Sequence, residues 1–121
     1  PSIRPPQYIS ASATVKNCII TDGCEIYGTV ENSVLASNVI VKKGAVIKNS
    51  VIMGDTVIEE NANVEYSIID ENVTIGRGAK VGEVKGTNKG IAVVGRNSRI
   101  FDNTTVEGGV IIDKESNTEG K

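Results

Sequence analysis

Aliphatic residues recur along this chain at short, nearly constant steps. From Ile9 through Val15, Ile20, Ile26, Val30, Leu35, Val41, Ile47, Ile52, Ile58, Val64, Ile69 and Ile75 to Val81, most steps are six residues and the rest are five or four. Leu35, Ile52 and Ile69 stand seventeen residues apart without error. A step of six fits neither the helical period nor a heptad. It also brings turns too often for paired hairpin strands of normal length.

The polar positions explain the step. Three residues after the aliphatic one comes a turn former: Gly23, Asn38, Gly44, Asp55, Asn61, Asn72, Gly78, Asn97 and Asn103. One place later comes a small or β-branched residue: Cys24, Val39, Ala45, Thr56, Ala62, Val73, Ala79, Ser98 and Thr104. Each unit therefore reads as a short strand and a bend. The aliphatic points inward, the Gly, Asn or Asp takes a bend suited to φ > 0, and the small residue packs at the corner. Three units close a coil, and stacked coils form an all-β, hexapeptide-repeat parallel β-helix of about six coils. With strands about 4.8 Å apart, that is a prism roughly 25–30 Å long.

One phrase returns on one side of the prism: VKNCII at 15–20, VENSVL at 30–35, IKNSVI at 47–52, VEYSII at 64–69 and, more loosely, VEGGVI at 106–111. This predicts that Asn17, Asn32 and Asn49 stack, and that Cys18, Ser33, Ser50 and Ser67 stack beside them. Stacked amides bond to one another up such a ladder. The rhythm breaks at GEVKGTNKGIAV, residues 82–93, and resumes at Val94, Ile100, Val106 and Ile111. We therefore expect a Pro-rich linker at 1–8, a solenoid at 9–112 with a loop excursion at 82–93, and a frayed polar tail at 113–121. The opening at Pro1 rather than Met suggests a piece of a longer protein.

Composition narrows the chemistry. One Phe, three Tyr and no Trp cannot fill a wide core, whereas abundant Ile and Val favour extended backbone. There is no His, which removes an imidazole base, His-ligated zinc and Ser-His or Cys-His pairs. No metal site is expected. Cys18 and Cys24 occupy places held elsewhere by Ser or Val and read as small packing residues. IGRGAKVG, residues 75–82, keeps the six-residue rhythm and lacks a strand-then-helix context, so it is no phosphate loop. The net charge of −2 gives no general attraction to nucleic acid or anionic membrane. No apolar run matches a membrane span and no signal peptide is visible, so a cytoplasmic setting is expected.

Charge is unevenly distributed. Between Lys48 and Arg77 all six charged residues are acidic: Asp55, Glu59, Glu60, Glu65, Asp70 and Glu71. Then Arg77, Lys80, Lys85, Lys89, Arg96 and Arg99 follow with only Glu83 against them. A basic run around a loop suits a phosphorylated small molecule, with Arg96, Lys89, Lys85 and Arg99 as candidates. The plainer reading is a solvated face. No aromatics interleave with the bases, which disfavours nucleic acid.

The segments PPQYIS, GCEIYGTVENSVL, GAVIKNSVIM and SIIDENVTIGRGAKVG together resemble the C-terminal domain of bacterial-type glucose-1-phosphate adenylyltransferases. The resemblance runs from Pro5 to about Ile111. It implies a left-handed coil, a hand the residues alone do not supply because ordinary parallel crossovers are right-handed. It implies a parent enzyme that makes ADP-glucose and pyrophosphate from ATP and glucose 1-phosphate for glycogen or starch synthesis. The catalytic residues and Mg2+ belong to an N-terminal catalytic domain, so none is expected here. The implied partners are that domain, the other subunits of a homotetramer or heterotetramer, and a phosphorylated metabolite that regulates. In KGIAVVGRN, Arg96 falls where plant-type relatives carry an effector-binding Lys. In IIDEN, Glu71 replaces a second such Lys, which favours a bacterial-type site that uses the catalytic domain. The alternatives are a hexapeptide-repeat acyltransferase, which usually needs a His base, and a non-catalytic structural solenoid or partner subunit.

Overall fold

The computed structural model describes residues 6–84 and 89–118. They form nineteen strands of two or three residues and no helix. The strands stack in parallel into three sheets, the sides of a left-handed parallel β-helix of about six coils. The first sheet runs from Tyr8–Ile9 through Glu25–Ile26, Ile40–Val41, Val57–Ile58, Thr74–Ile75 and Arg99–Ile100 to Asn117–Thr118. The second runs from Thr14–Lys16 through Thr29–Glu31, Val46–Lys48, Asn63–Glu65 and Lys80–Val81 to Thr105–Val106. The third runs from Ile19–Ile20 through Val34–Leu35, Val51–Ile52, Ser67–Ile69 and Ala92–Val94 to Ile111–Ile112. The first, second and third corners follow the sheets of the same number.

Register follows the aliphatic pattern. Val41 pairs with Ile58 and Ile58 with Ile75, Ile47 with Val64, and Leu35 with Ile52. All of these inward side chains are fully or almost fully buried, and one continuous core links them. The core is narrow because each coil contributes three aliphatics and small corner residues; Cys24, Val39, Ala45, Thr56, Ala62, Val73, Ala79, Ser98 and Thr104 are all buried. Each aliphatic side chain taken from water contributes about 1.5–3 kcal/mol.

The bends take the expected conformation. All nine turn formers have positive φ, from Asn72 at 55° to Gly23 at 81°. In this region an L-residue costs about 1–2 kcal/mol, and Gly or Asn costs least. The five-residue steps bend the same way at the second corner, with Asn17, Asn32 and Asn49 at φ of 54°, 50° and 54°. Tyr66 takes the same place at φ 49°, unusual for a bulky residue.

The two ladders are present in part. The Asn17 amide donates to Asn32 Oδ1 at 2.8 Å, but the Asn49 amide turns to the Glu65 carboxylate at 3.0 Å. The serine column is more regular. Ser33 Oγ accepts from the Ser50 N–H, and Ser50 Oγ accepts from the Ser67 N–H, both at 3.1 Å. Each of these hydroxyls donates to the backbone carbonyl two residues earlier. These serine hydroxyls are thus satisfied inside the wall, whereas the buried Thr104 Oγ1 has no partner among the described residues. Cys24 lies in the core, where burial pushes its thiol pKa up, and Cys18 packs against that core.

Four boundaries differ from the sequence reading. Tyr8–Ile9 already pairs with Glu25–Ile26, so the solenoid takes in the last residue assigned to the linker. Ala92 and Val93 are strand, paired with Ser67 and Ile68, so the excursion ends at Ile91. In the tail, Asn117–Thr118 pairs with Arg99–Ile100 and continues the first sheet, because a polar strand on the last coil still finds a ladder above it. Finally, Ile112 and not Ile111 is the inward residue, since Val94 pairs with Ile112 and Ile111 faces out. VEGGVI takes one residue more at its corner than VENSVL, where the Val110 N–H closes a turn on the Glu107 carbonyl.

Candidate functional site

The basic run does not gather into one site. Residues 77–99 are longer than one seventeen-residue coil, so the run wraps around all three sides of the prism. Arg77 lies at the first corner, Lys80 on the outer face of the second sheet and Lys89 at the second corner. Arg96 lies at the third corner, and Arg99 on the outer face of the first sheet. Lys85 lies outside the described residues. Among the described candidates, only Arg96 and Arg99 are neighbours, on the two sides of a bend.

Their partners differ. Lys89 Nζ sits 3.0 Å from Glu107 Oε1 and 3.7 Å from Glu83 Oε2. The hydrogen bond to Glu107 and then the two carboxylate charges push the Lys89 pKa up. Its charge is already matched, so Lys89 staples the base of the loop rather than offering a free cation. Glu83 completes the staple by accepting the Gly108 N–H at 3.2 Å. Gly108 and Gly109 keep this corner tight, because a Cβ at Gly109 would collide with the Lys89 carbonyl.

Arg77 is tied to Asp102. Its N–H donates to Asp102 Oδ1 at 2.8 Å and its guanidinium to Oδ2 at 3.2 Å. These contacts, the backbone one first, hold the Asp102 carboxyl below the usual aspartate range. Arg99 lies over the Phe101 ring with 5.5 Å between the guanidinium carbon and the ring centre. Arg77, Arg99, Asp102, Glu59, Glu60 and Thr74 line a shallow cavity of about 340 Å³. Its three carboxylates outnumber its two guanidiniums, so it does not favour an anion. Arg96 is exposed, and no carboxylate among the described residues lies within 4.0 Å of it.

A second feature was missed in the sequence. A groove of about 570 Å³ runs along the second corner. Asn17, Asn32 and Asn49 form one wall, Ile19, Val34 and Val51 the other, and Tyr66 joins its lining. The signal was there in the paired aliphatics of CII, VL, VI and SII. Adjacent strand residues face opposite ways, so when one points in the other must point out. Among the described residues no three His, Cys, Asp or Glu side chains gather to hold a metal ion. Among them too, no helix is long and apolar enough to cross a membrane.

The chain matches known families and folds. Residues 6–91 match the model of the GlmU-like, C-terminal hexapeptide family. The chain is 40% identical over 119 residues, 91% of its length, to a glucose-1-phosphate adenylyltransferase of Fervidobacterium nodosum, and it covers 29% of that protein. It is 38% identical over 120 residues, 92% of its length, to the enzyme of the same name from Acetivibrio thermocellus, covering 28% of it. It thus spans less than a third of the length of these curated relatives. Among solved structures, the acetyltransferase domain of PglB from Neisseria gonorrhoeae superposes with a TM-score of 0.83 at 23% identity. That match covers 97% of this chain and 56% of the other, and it shows a shared fold.

Proposed function

This chain belongs to the GlmU-like, C-terminal hexapeptide family, and on that premise we propose that it is the C-terminal regulatory and assembly domain of a glucose-1-phosphate adenylyltransferase. The observation that carries the reading is identity of 40% across 91% of the chain with an enzyme of that name. The parent protein joins ATP and glucose 1-phosphate into ADP-glucose and pyrophosphate, with Mg2+, in a catalytic domain that precedes this one, and works in the cytoplasm. This domain joins that catalytic domain and the other subunits of a tetramer. It adds Arg96 to the grip on a phosphorylated effector. Arg suits that task because its fork of donors matches phosphate oxygens.

Two measurements test the reading. The full-length protein, given ATP and glucose 1-phosphate, should release pyrophosphate and ADP-glucose; no turnover of this pair removes the assignment. In that enzyme, Arg96→Ala should raise the activator concentration needed by about tenfold, the loss of a charge-assisted contact. Turnover without activator should stay unchanged, because Arg96 stands at an exposed bend away from the core. Coincident activation curves remove Arg96 from the effector site. An acyl-transfer reading rests on shared fold alone, since the acetyltransferases that superpose are at most 23% identical, and the chain has no His to serve as base.

A further inference from the structure

Three cavities along the first side of the prism are lined by ionised groups: Glu25 with Lys42, Glu59 with Arg77, and Arg99 with Asp102. The groove at the second corner differs. It has amides on one wall, aliphatics on the other, and no carboxylate, ammonium or guanidinium in its lining. Its volume of about 570 Å³ is that of a small-molecule site. A lining without charge gives no purchase on an ion and suits a neutral ligand.

The hydrogen-bonding groups left over in the groove alternate. The Asn17 amide donates to Asn32 Oδ1, and the Asn49 amide donates to Glu65, which lies outside the lining. Among the described residues, Asn17 Oδ1, the Asn32 NH2 group and Asn49 Oδ1 then have no partner. Coil by coil, the groove offers an acceptor, a donor and an acceptor. An anion carries only acceptors and opposes the first and third. A cation carries only donors and opposes the second. A hydroxyl is both, and meets all three.

Tyr66 fills the place that Asn17, Asn32 and Asn49 hold in the three coils before it. Its φ is 49°, where Asn sits easily and a bulky residue is strained. Strain of this kind clusters at ligand sites. Nothing in the stacking of coils calls for a ring here, whereas a ring at the end of an amide and aliphatic groove offers a flat apolar surface with a polar tip.

We propose that the second-corner groove binds a neutral oligosaccharide: the amides hold its hydroxyls, Ile19, Val34 and Val51 meet its C–H faces, and Tyr66 stacks on a terminal ring. This goes beyond the nucleotidyl transfer and the effector grip proposed above and depends on neither. The spacing favours a sugar chain. The amides recur once per coil, about 4.8 Å apart, close to the length of one pyranose unit. An extended peptide is the other uncharged chain with alternating donors and acceptors. Its groups on one edge recur every second residue, about 6.8 Å apart, and fall out of step with the coils.

The test is an NMR titration of the isotope-labelled chain with maltotetraose and, separately, cellotetraose, each to about 10 mM, a range that brackets a weak site. The side-chain amide signals of Asn17, Asn32 and Asn49 should move with a Kd of about 1 mM for at least one sugar. The sugar that moves them tells an α-linked from a β-linked chain. Tyr66→Asn restores the residue of the three preceding coils. It should melt higher than the unaltered chain, because Asn takes the bend without strain, yet bind the sugar about tenfold more weakly. A merely structural tyrosine would not give those two opposite changes. Amide signals that neither sugar moves overturn the proposal, and so does a Tyr66→Asn chain that binds as well as the unaltered one. If an uncharged alanine–serine hexapeptide moves the amides and the sugars do not, the groove takes a strand and the proposal falls. None of these results touches the ADP-glucose assay, which stands or falls separately.

Discussion

From Leu35 to Ile52 to Ile69 the inward aliphatics of the third sheet recur every seventeen residues, whereas Ile69 to Val94 takes twenty-five and Val94 to Ile112 takes eighteen. The strand pairing is equally good in both halves. The added residues are absorbed at the second corner, in the loop after Val81 and in the Glu107–Val110 turn. An inward position is shared with the coils above and below, so it cannot slip without stripping three coils of their packing. A corner faces water and is free to lengthen. The walls differ accordingly. In the regular half buried serines bond coil to coil, from Ser33 through Ser50 to Ser67. That column ends where Ala92 follows Ser67, and the irregular half keeps one buried serine link, from Ser98 to the Ser116 N–H, and is stapled from outside by Lys89 with Glu83 and Glu107, and by Arg77 with Asp102.

The contrast breaks if core substitutions cost the same everywhere. Ile52 is fully buried within the regular half, and Ile52→Ala should lower stability by about 3–4 kcal/mol in urea unfolding. Ile112, half-buried on the last coil, should cost about 1–2 kcal/mol when cut to Ala. Equal losses would mean that the end coils are as tightly held as the middle.

Glycines sharpen the comparison. Gly44 has φ 79°, and a Cβ there would collide with the Asn61 side chain of the next coil. Gly90 has φ 81° in the loop, with nothing among the described residues within 4 Å of an added Cβ. Gly44→Ala should therefore cost about 2–3 kcal/mol and Gly90→Ala only about 1 kcal/mol, the backbone strain alone. Thermal melts of the pair should separate. Coincident melts would show that the ladder of bends yields as easily as the loop.

The smallest effect is that of an outer staple. The Asp102 pKa is lowered in the folded chain, so its contribution is present above the ordinary aspartate value near 4. It is lost as pH falls through the lower folded value. Asp102→Asn should melt slightly below the unaltered chain at pH 7, and the gap should close as pH falls below the lowered carboxyl value. A gap that persists in acid would trace the effect to packing instead.

Much of this molecule could be read in one dimension. The step of six, the nine turn formers and the small residues after them specify the bends and the inward set, because each acts within its own few residues. The outward aliphatic stripe was legible as well, through simple alternation at Ile19, Val34, Val51 and Ile68. The candidate site was not. Lys89, Arg96 and Arg99 look like one basic run along the chain but lie at a corner, another corner and a face. Their grouping depends on where each falls within a coil. The position of Ile112 likewise turned on a single extra residue at a corner, which no periodic rule assigns.

The sequence by itself determined the repeat, the parallel stacking and the identity of the core, since these follow from local backbone preference and from burying one aliphatic per side of each coil. Only the tertiary structure decided which charges meet. Lys89 finds Glu107 eighteen residues on, and Arg77 finds Asp102 twenty-five residues on, because one turn of the solenoid brings distant residues within about one strand spacing of each other. Electrostatic partnership is set by that distance in space. The chain records only the distance along itself.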